Sequence, residues 1–176
     1  MSEPTERERV ACLVYGLPVL EGALAPTLAP SQGTSPLLRF VTATDVKMIV
    51  LVEKRSNIAD TGDVAIGVGS VHGRILSLIT LLGTPHPAMN EPLSPGALLC
   101  ETDGGQPFLL DGGAVRGVGM FPRIDEATIL FEGERVGRLD TTAFYRAIEQ
   151  RVWERSALVG AHGARIVRAE KESDRA

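Results

Sequence analysis

The chain has 176 residues, 44% of them hydrophobic, enough to bury roughly two-thirds of its unfolded surface as one domain, or as one domain built of two small barrels. Its 18 Lys and Arg are outnumbered by 22 Asp and Glu, and a net charge of −4 without a basic cluster leaves no electrostatic footprint for nucleic acid. The only cysteines, Cys12 and Cys100, lie far apart without a partnering pattern, which argues against a disulfide framework or a thiolate metal site and for a reducing, cytoplasmic compartment.

Residues 1–9 are charged and expected to fray. The apolar run Val10–Leu20 resembles the core of a signal segment, but Glu3, Glu6 and Glu8 spoil a positive flank and Pro18 interrupts the run, so neither a leader nor a membrane helix is predicted. Val10–Val19 is an added strand or a docking amphipathic piece, and Cys12-Leu-Val-Tyr15 favours the strand. Pro26, Pro30, Gly33 and Pro36 mark residues 21–36 as an irregular connector, and 1–36 is read as an N-terminal extension.

A domain is expected over 37–155. Leu37–Val41 and Lys47–Val52 are strand-like runs around the turn-rich Thr42–Asp45, a hairpin signal. After the polar stretch Glu53–Asp63, Val64–Gly67 and Arg74–Leu82 flank a glycine-punctuated turn in which Ser70, Val71 and His72 stand between Gly69 and Gly73. Gly83-Thr-Pro-His-Pro87, with Pro92 and Pro95, reads as a long exposed loop between two halves. Beyond it, Ala97–Glu101, Gln106–Leu110, Ala114–Phe121, Ala127–Phe131 and Arg135–Leu139 are strand-length. Asp103-Gly-Gly, Asp111-Gly-Gly and Glu132-Gly133 serve as hairpin turns. Strands at this spacing without helices between them suggest a meander or closed barrel. One helix is expected from Asp140 or Thr141 through Phe144, Ala147, Ile148 and Val152, stopping at Gly160, with 156–176 a solvated tail.

Candidate chemistry is sparse. Gly67-Val-Gly69 invites a nucleotide-loop reading, but the strand-like Arg74–Ile79 follows where a helix is needed, and no Gly-Lys-Ser/Thr occurs. His72, His86 and His162 are too dispersed for a compact metal motif. The carboxylate pairs Glu101/Asp103 and Asp125/Glu126 fall in turns, where solvated charge is the ordinary reading. Ser70 and Ser77 lack a nucleophile elbow, and Cys100 sits in an apolar run that suggests burial. No cofactor or metal is implied, and no enzyme is proposed. Gly67, Gly73, Gly117 and Gly119 suit close strand packing or the approach of a partner. Val71 either folds back to the core or joins a docking patch.

Ile66-Gly-Val-Gly-Ser-Val-His-Gly-Arg-Ile-Leu-Ser-Leu-Ile-Thr-Leu-Leu-Gly83 resembles the central signature of CheW-like chemotaxis coupling proteins. Leu38–Val52 is similar to that family's opening hairpin, Phe108–Pro122 to its Val-Asp-x-Val-x-Gly-Val segment, and Ala127–Phe144 to its last hairpin and closing Leu-Asp. Ser70, His72, Ser77 and Thr80 depart from the usual Asn, Arg, Pro and Asp, and the links before the signature and after Arg123 are short. The resemblance implies two small intertwined five-stranded β-barrels, SH3-like in build, with one C-terminal α-helix. It implies a non-catalytic adaptor that joins a chemoreceptor's cytoplasmic tip to a CheA-type histidine kinase, with no nucleic acid and no direct membrane insertion. By position, Ser70, Val71, His72, Gly73 and Arg74 would face partners, histidine offering fewer and titratable hydrogen bonds where arginine is usual. The alternative is an all-β barrel that binds a small apolar ligand between its two halves, with the Pro-rich loop as a lid.

Overall fold

The computed structural model describes residues 7–20, 30–60, 62–83 and 97–151. Eleven strands occur there: β1 (Arg9–Gly16), β2 (Leu38–Thr42), β3 (Val46–Val50), β4 (Lys54–Asp60), β5 (Val64–Val71), β6 (Arg74–Leu81), β7 (Ala97–Glu101), β8 (Pro107–Asp111), β9 (Ala114–Asp125), β10 (Thr128–Phe131) and β11 (Glu134–Arg138). One helix, α1, follows over 141–151. The protein is therefore mainly β, as the strand spacing predicts.

Five strands close a barrel in the order β1-β2-β11-β10-β9, with β9 returning to β1. Alternation along these strands aims Cys12, Val14, Phe40, Ile129, Phe131 and Val136 inward as one core cluster. Burying each of the larger side chains contributes about 1.5–3 kcal/mol, and Phe121 stacks edge-on against Phe131 with ring centroids 5.3 Å apart. Val10–Val19 thus resolves as a strand, and an essential one. Without β1, β2 loses its antiparallel partner and β9 keeps only β10, so the barrel draws on residues before position 37.

The remaining strands form a six-stranded sheet, β3-β7-β8-β6-β5-β4, around Val50, Val71, Leu76, Leu78, Ala97 and Leu109. It has one strand more than the five expected of each barrel. The polar stretch before β5 supplies β4, an edge strand in which exposed Lys54 and Arg55 blunt the open backbone. A register shift between Asn57 and Ala59 interrupts its pairing with β5.

Two turns predicted to close hairpins do something else. Thr42–Asp45 carries the chain out of the barrel, because β2 pairs with β1 and β11 while β3 pairs with β7. Asp111-Gly-Gly carries it back from β8 to β9. The strands β3–β8 are thus inserted between β2 and β9, and the two β units are intertwined. Each crossing is tied by hydrogen bonds. Asp45 Oδ2 accepts from Arg138 Nη2 at 2.7 Å and from Thr42 Oγ1 at 3.2 Å, while its carbonyl accepts from the Glu101 amide at 2.9 Å. The bond to Asp45 pushes the Arg138 guanidinium above its ordinary pKa, against the effect of burial. At the second crossing, the hydroxyl of buried Tyr15 accepts from the Gly113 amide at 2.8 Å.

The other turns behave as predicted. β7 and β8 form a hairpin across Asp103-Gly-Gly, and β10 and β11 form one across Glu132-Gly133. The helix begins at 141 and buries Phe144 and Ile148, one stripe at helical spacing. The described residues from 143 to 151 fall in a second compact unit. Val152, Gly160, the 156–176 tail and the Pro-rich loop after Gly83, including His86, lie outside the described residues.

Candidate functional site

The β5–β6 hairpin is paired through Val71↔Arg74, so its turn is only His72-Gly73, narrower than the glycine spacing suggests. Both residues have positive φ, +49° and +75°. That is the primed two-residue geometry whose twist matches the flanking strands. Glycine adopts it without penalty, whereas a β-carbon at His72 costs about 1–2 kcal/mol. The tip is a strained, well-defined point rather than a loose loop.

The five predicted partner-facing residues do not share one environment. His72, Gly73 and Arg74 are exposed, and Ser70 is half-buried in β5. Val71 is 4% exposed and belongs to the sheet's core. Of the two readings left open for it, the structure shows the core one: Val71 anchors the tip from below. Ile75 takes the place Val71 leaves, as it is 75% exposed. Pairing aligns Lys54, Ser70 and Ile75 in one cross-strand row. Leu51 is 72% exposed in the segment that leads to Glu53, whose amide donates to the Ser70 carbonyl at 2.8 Å. Leu76 and Leu78 face the core, so alternation turns Ile75 to the other face of β6, where Ile79 and Leu81 are covered and Ile75, beside the turn, is not.

The glycine motif before the turn is a packing device. Gly69 lies inside β5, and a Cβ there would come within 2.9 Å of both Leu109 Cδ1 and Val52 Cγ1. Its strand is paired on both sides, with β4 and β6, so the backbone is committed to the sheet.

A second surface is an apolar groove of about 390 Å³ between the barrel and the sheet. Its walls are Ala11–Leu13 from β1, Val41–Ala43 at the end of β2, Val46–Ile49 from β3 and Val118–Met120 from β9. Met48, Val118 and Met120 are large apolar side chains left 49%, 67% and 53% exposed. Sequence reasoning missed this groove. Alternation in β9 predicts outward Val118 and Met120, but nothing local shows that β3 lies opposite.

The other candidate groups are structural. Cys12 and Cys100 are free and buried, and burial pushes their thiols up to about 11 and about 12. The Glu101 amide donates to Asp45 O and the Asp103 amide to Thr142 Oγ1, so this pair sits in a hydrogen-bonded turn. Asp125 Oδ1 caps the Ala127 amide at 2.9 Å. Among the described residues no group of three His, Cys, Asp or Glu is placed to hold a metal, and no helix is long and apolar enough to cross a membrane. Comparison with known proteins finds no matching family model, no matching curated protein and no matching solved structure.

Proposed function

We propose that this chain is a non-catalytic, cytoplasmic adaptor of the CheW-like kind, which couples the cytoplasmic tip of a chemoreceptor to a CheA-type histidine kinase. The observation that carries the reading is the intertwining of two β units, with the segments of resemblance in order along it. Leu38–Val52 spans β2 and β3, Ile66–Gly83 spans most of β5 and all of β6, Phe108–Pro122 spans most of β8 and of β9, and Ala127–Phe144 spans β10, β11 and the start of α1. An adaptor needs a rigid scaffold and exposed contact residues. The β5–β6 tip supplies them: Val71 holds it to the core while His72, Arg74 and Ile75 face solvent. Co-elution of the purified chain with a CheA-type kinase from the same organism tests the reading, and loss of the complex in Ile75→Asp would locate the contact. A chain that elutes alone with every kinase and receptor tip tried is not such an adaptor.

The groove favours a second reading, binding of a small apolar ligand between the two halves. Its volume of about 390 Å³ falls on the scale of small-molecule sites, and its walls are almost wholly apolar.

A further inference from the structure

We propose that the groove binds an anionic amphiphile, a medium-chain carboxylate whose chain lies along the apolar walls and whose headgroup meets Lys47. This inference rests on the small-ligand reading and adds the ligand's chemical class. Lys47 is the only charged side chain among the lining residues. It is exposed and has no carboxylate partner among the described residues. Asp45, the acid beside these walls in the chain, is already engaged by Arg138 at 2.7 Å. A lone cation over apolar surface complements an apolar chain that ends in an anion.

The walls suit a flexible chain. Met48 and Met120 are unbranched and adjust to irregular shapes, and they flank the groove from the sheet and from the barrel. The volume lies at the low end of the range for ligand sites, which fits one chain better than a bulky ring system. The walls come from four separate strand segments, so the two β units together build the site.

The test titrates the full chain with dodecanoate and dodecylammonium below their micellar concentrations and with dodecanol below its solubility limit. Dodecanoate should bind about fivefold more tightly than dodecanol, the upper end for an exposed ion pair, and dodecylammonium more weakly than either. Lys47→Met should remove the preference for dodecanoate and leave dodecanol binding unchanged. Val118→Asp should abolish binding of dodecanoate and dodecanol while urea unfolding still shows a cooperative fold. Equal binding of dodecanoate and dodecanol, or a preference that survives Lys47→Met, overturns the inference and leaves the small-ligand reading standing. Failure of dodecanoate, dodecanol and dodecylammonium alike to bind overturns both.

Discussion

Replacing Arg138 with methionine tests how the two β units are held together at the first crossing. The substitution keeps most of the stem and removes the guanidinium that reaches Asp45 Oδ2 at 2.7 Å. The Asp45 side chain is only 9% exposed, so its carboxylate would be left nearly buried with the Thr42 hydroxyl at 3.2 Å as remaining support. A hydrogen bond between charged groups contributes about 1.5–3 kcal/mol. The Arg138 side chain is 42% exposed, however, and solvent screening brings the expected loss to about 1–2 kcal/mol. Asp45→Asn retains the backbone bonds of residue 45 and should cost a similar amount. The double variant should lose less than the sum, with a coupling of about 1 kcal/mol. Urea unfolding at neutral pH, compared at constant m, reads all three. Additive losses, or single losses under about 0.3 kcal/mol, would refute the claim that this pair ties the crossing.

Gly69→Ala should destabilise by about 1–3 kcal/mol, because the added carbon meets Leu109 and Val52 at 2.9 Å; a thermal melt like that of the parent would contradict the packing role. At the tip, His72→Gly should be neutral or stabilising, whereas His72→Val should lose about 1 kcal/mol in the same melt, since φ is +49° there. The two thiols have pKa values raised to about 11 and about 12, from 9.0. Above 9.0 the native state holds thiol protons that the unfolded state has released, so stability should fall as pH climbs, and the buried Tyr15 hydroxyl, whose pKa burial also raises from 10.0, adds to the fall. Unfolding curves across that alkaline range check the slope, which should become shallower in Cys100→Ala, with Cys12 and Tyr15 supplying the remainder. Cys12 and Cys100 should also resist a thiol reagent at pH 8 until urea is added.

Much of the fold is legible in the sequence because strand identity is a local property. β7 falls on Ala97–Glu101 as predicted, and the Glu132-Gly133 turn joins β10 to β11 because its residues suit positive φ. Strand partnership is not local. Thr42–Asp45 and Asp111-Gly-Gly each lead from one β unit to the other, because β2 and β9 pair with β1 while β3 and β8 pair with β7, partners that local sequence does not reveal. β4 is hidden for another reason. Lys54, Arg55 and Ser56 carry no apolar alternation, since an edge strand needs little. At the tip, small residues alternate with valines along β5, which blurs which face is buried; the pairing shows Val71 inward and Ile75 outward. The groove is the least legible feature. Its walls come from β1, β2, β3 and β9, and only the closure of the barrel beside the sheet brings them together.

The adaptor reading turns on a measured complex. The full chain, mixed with a CheA-type histidine kinase and a chemoreceptor cytoplasmic fragment from the same organism, is best followed by analytical ultracentrifugation. A ternary complex that Ile75→Asp weakens at least tenfold, about 1.4 kcal/mol, with the fold intact, is the predicted result. A chain that sediments alone beside both proteins would contradict it.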